Sequence, residues 1–142
     1  MKALTKQGIL RVIDANLNRS REGLRVCEDV ARFVVNSPAL TKELKAVRHG
    51  IRDVIARAPF TQTSLFKCRD SEGDIGRDSR LSSEMNRRNA PDIFIANIQR
   101  VKESLRVLEE FFKLIDVRSS GKISRLRFRT YDIEKKAFKR CW

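Results

Sequence analysis

One short segment carries the residue types that phosphate chemistry needs. The segment CRDSEGDIGR contains Arg69, Asp70, Asp74, Gly76 and Arg77. Carboxylates can hold Mg²⁺, while arginine side chains and backbone N–H groups can bind phosphate oxygens. By itself this signal is weak, because turns rich in Asp, Gly and Ser are common. Neither a Walker motif nor a kinase glycine-rich loop is present in the sequence.

A sequence repeat supplies further charged groups. ANLNRSREGLRVCED (residues 15–29) and ANIQRVKESLRVLEE (residues 96–110) are identical at eight of fifteen positions. The shared or similar polar residues are Asn16, Arg19, Glu22 and Arg25 in the first copy and Asn97, Arg100, Glu103 and Arg106 in the second. They either form (i, i+3) pairs, each worth about 0.2–0.5 kcal/mol, or line a polar cleft where guanidinium groups bind phosphates. Their presence in both copies favours the structural alternative for any single residue.

Residues found in only one copy are better candidates for catalysis. Asp14 aligns with Ile95, and His49 aligns with Phe128. The segment around Asp74 has no counterpart at all. A histidine on a helix is more often a hydrogen-bonded edge residue than a catalyst, so His49 is the weaker candidate of these.

The repeated segments have the apolar spacing of long packed helices. Steps of four and three residues predict two buried seams, formed by Ile13, Leu17, Ser20, Leu24, Cys27, Ala31 and Val34 and by Phe94, Ile98, Val101, Leu105, Leu108, Phe112 and Ile115. A second stripe beside the seams widens the apolar face, and it contains Val26, Val30, Phe33, Val107 and Phe111.

A second helix is predicted after each repeat, with seams at Leu40, Leu44, Val47, Ile51 and Val54 in the first and at Ile123, Leu126, Thr130, Ile133 and Ala137 in the second. Ser37 is suited to cap the first of these, with Pro38 at the first helical position. The two second helices also resemble each other, since Arg48 matches Arg127 and Asp53 matches Asp132. The sequence therefore predicts an all-α four-helix bundle made from a duplicated helical hairpin.

The predicted organisation is a single helical domain over residues 1–142. Hairpin 1 covers about 9–58, a long irregular loop covers 59–92, and hairpin 2 covers about 93–139. A loop of this length is usually functional or partly ordered. A short helix is expected near its end, in SSEMNRR.

Composition narrows the class of protein. The net charge is +13, and the segment 117–142 contributes +7 of it (nine cations minus two anions). Phosphate groups on a small molecule or on nucleic acid are natural counterparts. Three widely spaced cysteines and one histidine argue against a disulfide framework and a Cys/His metal site. No apolar run is long enough for a bilayer, so we expect no membrane partner. Cysteines without a disulfide framework favour a cytoplasmic protein.

Five segments together resemble one bacterial family. They are RVIDANLNRSREGLRVCEDVARFV, LKAVRHGIR, CRDSEGDIG, ANIQRVKESLRVLEE and RFRTYDIE. The family is the small all-helical hydroxymethylpyrimidine-phosphate kinase of thiamine biosynthesis, which also occurs as the N-terminal domain of fused thiamine-phosphate synthases. The likeness covers nearly the whole chain, and DANLNRxREGLRVxED is its most specific motif. Ser20, Cys27 and Phe128 depart from the family pattern at seam or helix positions.

The resemblance implies an ATP-dependent phosphotransferase that converts hydroxymethylpyrimidine phosphate to the diphosphate, with ATP and Mg²⁺ as cofactors. We expect no synthase activity from these residues. From chemistry and position, the candidate catalytic residues are Arg69, Asp70, Asp74 and His49. The candidate substrate- and phosphate-binding residues are Asn16, Arg19, Arg25, Arg48, Gly76, Arg100 and Arg106. The candidate metal ligands are Asp14, Glu22 and Asp74, with Asp70 as a further carboxylate.

The alternative is a non-catalytic module. A basic last helix could bind nucleic acid, with a steep dependence on salt, or the bundle could dock onto a thiamine-pathway enzyme. An aromatic content of 7% and the lack of a nucleic-acid motif argue against nucleic acid. The remaining apolar stripes are compatible with a homodimer.

Overall fold

The computed structural model describes residues 5–78 and 86–142, and it contains no β-strand in these ranges. Its α-helices are α1 (Lys6–Asp29), α2 (Pro38–Ala56), α3 (Gln62–Cys68), α4 (Ala90–Phe112) and α5 (Val117–Cys141). The four long helices form the bundle: α1 and α5 each pack against both α2 and α4, while α3 rests on α1. The predicted all-α bundle of two hairpins is confirmed.

The apolar seams lie in the core as predicted. The α4 seam from Phe94 to Phe112 and the α2 seam from Leu40 to Val54 are buried. Two polar seam residues are accommodated because each hydroxyl donates to a carbonyl of its own helix. Ser20 donates to Leu17 O at 3.0 Å, and Thr130 donates to Leu126 O at 2.8 Å.

The predicted seam is wrong at the end of the first long helix. Phe33 and Val34 are 64% and 59% exposed rather than buried. After α1 the chain continues as a π-helical turn, Val30–Val34. Bonding from i to i+5 adds a residue to the turn and rotates the following side chains away from the seam. Asn36 then adopts a left-handed conformation with φ 56°, which turns the chain towards α2.

The connection between the hairpins is less irregular than predicted. It contains α3, whose N-terminus is closed by reciprocal hydrogen bonds between Thr61 and Ser64. Leu65 is fully buried and anchors α3 to the bundle core. The short helix expected in residues 82–88 falls mostly on residues 79–85, outside the described ranges.

Helix α4 begins earlier than the predicted boundary near residue 93. The Asn89 side chain accepts a hydrogen bond from the Asp92 N–H at 2.9 Å, and Pro91 occupies the first turn. Pro is favourable there because the first-turn N–H groups have no partner within the helix.

Helices α1 and α4 run antiparallel and cross closely. A Cβ atom at Gly23 would lie 2.8 Å from Val101 Cγ2 and 2.9 Å from Asn97 O. The Cys27 thiol donates to Phe94 O at 3.6 Å. Higher numbers on α1 thus meet lower numbers on α4. Because these helices carry the two copies of the repeat, an approximate twofold axis relates the copies across the crossing.

A buried ion pair braces each hairpin. Arg48 Nε lies 3.0 Å from Glu28 Oε2, which joins α2 to α1. Arg127 Nε lies 2.9 Å from Glu109 Oε2, which joins α5 to α4. Both glutamates are buried, so each arginine satisfies a carboxylate that would otherwise be costly to enclose.

Within the described part of the chain, none of the helices has the length and apolar character that a bilayer span requires.

Candidate functional site

An open cleft of about 1270 Å³ lies along α1 and α4, beside the segment 69–77. Twelve of its lining residues form six pairs related by the repeat: Ala15/Ala96, Asn16/Asn97, Asn18/Gln99, Arg19/Arg100, Glu22/Glu103 and Val26/Val107. The two copies therefore contribute the same helix face to one shared cavity. This placement follows from the twofold relation between α1 and α4.

Nine of the thirteen predicted site residues line this cleft: Asp14, Asn16, Arg19, Glu22, Arg69, Asp70, Asp74, Gly76 and Arg100. They come from two helices and a loop that are far apart in sequence. Their convergence corresponds to the polar-cleft alternative considered for the repeated residues.

The remaining four predicted residues do not line the cleft. Arg48 is the brace to Glu28, and Arg25 Nη1 also lies 3.7 Å from Glu28. Arg106 pairs with Glu109 and Glu110 at 3.3 and 3.1 Å. Arg25, Arg48 and Arg106 therefore form ion pairs within the bundle, which is a structural role. His49 is a half-buried residue of α2 outside the cleft lining.

Both copies hold the cleft asparagines in the same way. Asn16 Nδ2 donates to Val12 O at 2.9 Å, and Asn97 Nδ2 donates to Ile93 O at 2.8 Å. Each bond reaches back four residues along its own helix. In the first copy, Arg19 Nη1 also donates to Asn16 Oδ1 at 3.3 Å.

A bidentate ion pair attaches the 69–77 segment to α1. Arg69 Nε and Nη2 lie 2.7 and 2.8 Å from Asp14 Oδ2 and Oδ1. The hydrogen bond to Asp14 raises the pKa of Arg69 above its ordinary value. The guanidinium group also lies over the Phe66 ring, 4.9 Å from its centre. Both oxygens of Asp14 are occupied, so its predicted role as a Mg²⁺ ligand would require this ion pair to open.

Two loop carboxylates each use one oxygen to close a turn. Asp70 Oδ1 accepts from the Gly73 N–H at 2.8 Å, and Asp74 Oδ1 accepts from the Gly76 N–H at 3.0 Å. The Gly76 N–H, predicted to bind phosphate, is thus bonded within the turn. A Cβ at Gly73 would collide with Asp70 Oδ2, so a side chain there would displace this carboxylate.

The carboxylates of the cleft suit a metal ion that takes some of its ligands from the protein and the others from substrate phosphates. Within residues 5–78 and 86–142, no group of three or more His, Cys, Asp or Glu residues is arranged to hold a metal ion. Mg²⁺ is commonly bound through one or two carboxylates together with substrate phosphates. Asp70 and Asp74 fit that smaller requirement, because each retains a second carboxylate oxygen.

Positive charge in the cleft comes from arginine alone among the described residues, namely Arg11, Arg19, Arg69, Arg77, Arg87 and Arg100. Arg11, Arg77 and Arg100 form no ion pair with a carboxylate in the described ranges. Guanidinium groups bind phosphate oxygens through two parallel hydrogen bonds. The cleft therefore offers several cations to an anionic ligand.

Six polar residues of the lining were not among those predicted from the sequence, and they are Arg11, Asn18, Ser71, Arg87, Gln99 and Ser104. Asn18, Gln99 and Ser104 lie inside the repeat, so its helical periodicity was the signal that could have found them. Arg11 is three residues before Asp14, on the same helix face. For Arg87 the sequence holds no comparable signal.

Comparison with known proteins gives a consistent family. The model of the ThiD2 family matches residues 11–136. The thiamine-phosphate synthase of Synechocystis sp. is 37% identical over 134 residues, which are 94% of this chain and 37% of that protein. The corresponding enzyme of Rhodopirellula baltica is 36% identical over 123 residues, 87% of this chain and 32% of that protein. The chain thus spans about a third of the length of these relatives. No solved structure gives a significant match.

Proposed function

Because the chain belongs to the ThiD2 family and has an arginine-lined cleft, we propose that it is a small-molecule phosphate kinase of thiamine biosynthesis. Its substrates are ATP and hydroxymethylpyrimidine phosphate, and its products are ADP and the pyrimidine diphosphate. The pathway is supported by relatives named thiamine-phosphate synthase. The kinase step is supported by the resemblance of the sequence motifs and by the chemistry of the cleft.

The observation that carries this proposal is the double set of arginines in one cavity. In the reaction, the bond between the γ-phosphorus and the ADP oxygen breaks, and a bond forms from that phosphorus to a phosphate oxygen of the acceptor. Two highly charged anions must therefore be held close together. Arg19 and Arg100 offset their repulsion, and such positioning and charge stabilisation account for most of phosphoryl-transfer catalysis.

The acceptor needs little help from a general base. Its attacking phosphate oxygen is already largely deprotonated near neutral pH. A catalytic histidine is therefore unnecessary, which agrees with the position of His49 outside the cleft lining. Arginine recognition of the existing phosphate also gives the phosphorylated pyrimidine an advantage over the free alcohol.

Mg²⁺, when bound with ATP, neutralises phosphate charge during the transfer. Asp70 and Asp74 would hold it, because both line the cleft and each has a carboxylate oxygen outside its turn. Arg69 would keep these carboxylates over α1 through its ion pair with Asp14.

Turnover by variants tests the proposal. Hydroxymethylpyrimidine phosphate and MgATP are mixed with the protein, and diphosphate formation is followed by phosphorus NMR. We expect Arg69→Ala and Asp74→Ala to lower kcat/KM by about 10²-fold or more, with unchanged helical circular dichroism. Arg52→Ala is the matched control, because Arg52 is exposed on α2 and its ion pair among the described residues is with its neighbour Asp53. Full activity in both loop variants would remove the loop from the mechanism.

A binding module is the competing function, favoured by the outer face of α5. Phe128 and Tyr131 are 58% and 46% exposed there, among arginines that include Arg125 and Arg129. Nucleic-acid binding through these cations would weaken steeply as salt increases. An absence of turnover combined with salt-dependent binding of single-stranded RNA would favour this second function.

A further inference from the structure

We infer that the cleft is divided into two phosphate half-sites related by the internal twofold axis, one for the phosphoryl donor and one for the acceptor. The division rests on the proposed function for the identity of its ligands. The geometry on which it depends is independent of that function, since it follows from the repeat and from the antiparallel packing of α1 and α4.

Each copy of the repeat presents the same polar side chains to the cavity. Asn16 and Arg19 lie one turn apart on α1, and Asn97 and Arg100 lie one turn apart on α4. Both asparagines make the same bond to the carbonyl four residues earlier. A twofold axis between antiparallel helices places such equivalent sets on opposite sides of itself. The cleft therefore has two equivalent places where an arginine can meet a phosphate.

The two equivalent places have different surroundings. Asp14 binds Arg69 and so attaches the 69–77 segment to the first half. The equivalent position on α4 is Ile95, which is 37% exposed and cannot form such an ion pair. We call the half around Arg19 the loop-attached half. Asp70, Asp74 and Arg77 follow Arg69 closely in the sequence, so they belong to the segment that is attached there. The second half, around Arg100, is the open half.

The charges around the two places differ in the way that the two ligands differ. A triphosphate with its Mg²⁺ needs both cations and carboxylates around it, and the loop-attached half supplies both. A monophosphate needs arginine and amide donors, and the open half supplies Arg100, Asn97 and Gln99. Accordingly, Arg19 binds the phosphates of the donor nucleotide, and Arg100 binds the phosphate of the acceptor.

Steady-state kinetics of the two equivalent variants test the assignment. Removal of one arginine–phosphate contact is expected to raise the matching KM about tenfold or more. In Arg19→Ala the KM for ATP should rise and the KM for the acceptor should change by less than about twofold. Arg100→Ala should show the opposite split, and the control Arg52→Ala should show neither. A reversed split, an equal rise of both KM values in each variant, or no rise in either would overturn the inference.

Calorimetry with inorganic pyrophosphate separates this inference from the proposed function. If the wild-type protein has no kinase activity, the proposed function fails, but the two half-sites still predict two pyrophosphate sites in the wild type and in Arg52→Ala. One site should then be lost in Arg19→Ala and one in Arg100→Ala. A single site or none in the wild type would overturn the half-sites, whatever the outcome of the kinase assay.

Discussion

The two hairpins are built to the same plan but differ where the cleft is completed. Each has a buried Glu–Arg brace between its helices, Glu28 to Arg48 in the first and Glu109 to Arg127 in the second. Within the described residues, only the first copy of the repeat binds the 69–77 segment through an aspartate, because Ile95 stands in the second copy where Asp14 stands in the first.

This difference shows which features both copies of the repeat share and which feature makes the site asymmetric. The shared features are the seam, the brace and the face with Asn and Arg, and all of them are needed twice because both copies enclose one core and one cleft. The loop attachment is needed once, because the two ligands of the proposed reaction are not alike. The ion pair between Asp14 and Arg69 is therefore the feature that distinguishes the halves.

The braces should produce the largest effects on stability. Glu28→Ala and Glu109→Ala should each lower the free energy of unfolding by about 3 kcal/mol. The reason is that each change leaves an arginine, Arg48 or Arg127, largely shielded from water and without its carboxylate partner. Urea unfolding followed by circular dichroism measures this. The loss should be greater for Glu109, since the Arg127 side chain is 15% exposed and that of Arg48 is 23% exposed. Losses below about 1 kcal/mol in both variants would mean that the braces are solvated like surface pairs.

A smaller difference in stability between the two copies is expected at the crossing of α1 and α4. Gly23→Ala should cost about 1–3 kcal/mol, because the new Cβ would meet the backbone oxygen of Asn97 at 2.9 Å. The equivalent residue is Ser104, whose hydroxyl donates to carbonyls of its own helix at 2.8 and 3.0 Å. Ser104→Ala should therefore cost only about 1 kcal/mol. Equal costs in the same urea experiment would contradict the close approach at Gly23.

Acid should weaken the N-terminus of α5 more than that of α2. Asp116 caps α5, whereas the cap of α2 is Ser37, which does not titrate in this range. The hydrogen bond from the Ser119 hydroxyl lowers the pKa of Asp116 from its ordinary value of 3.8. Because the folded pKa lies below the unfolded one, the stabilisation is complete above about pH 4 and is lost as the pH falls through the folded pKa.

Asp116→Asn tests this pH dependence, because asparagine is also a good cap but does not titrate. The wild type should lose stability below about pH 4 more steeply than the variant. Acid titrations of the two proteins, followed by hydrogen exchange of the first-turn amides of α5, measure the difference. Identical acid titrations would show that Asp116 does not contribute to it.

The cysteines should differ in reactivity without an effect on stability. Burial raises the pKa of Cys27 to about 12, with a further contribution from Glu134. Iodoacetamide at about pH 8 should therefore label the half-buried Cys68 and Cys141 first and leave Cys27 unmodified, since the thiolate is the reactive form. Labelling in urea, where all three should react, is the control, and mass spectrometry gives the sites. Early labelling of Cys27 in the folded protein would contradict its burial against α4.

The bundle could be predicted from the residues alone, because helix periodicity and the repeat are local patterns. The α2 seam and the Ser37 cap could be predicted for that reason, as could the α4 seam. The prediction was wrong where the helix is locally irregular. The π-helical turn after α1 rotates Phe33 and Val34 into solvent, and no pattern in the sequence indicates this turn.

The packing of the helices determines which of the repeated arginines line the cleft. Arg19 and Arg25 look alike in the sequence, yet Arg19 lines the cavity and Arg25 lies by the buried carboxylate of Glu28. Whether each arginine lines the cleft or lies by Glu28 depends on which side of α1 faces α2 and which side lies beside the 69–77 loop. That orientation is fixed by the burial of all four seams at once, and by an ion pair that joins residues 55 positions apart. Such long-range contacts leave no periodic signal in a single sequence, so they are visible only in the folded chain.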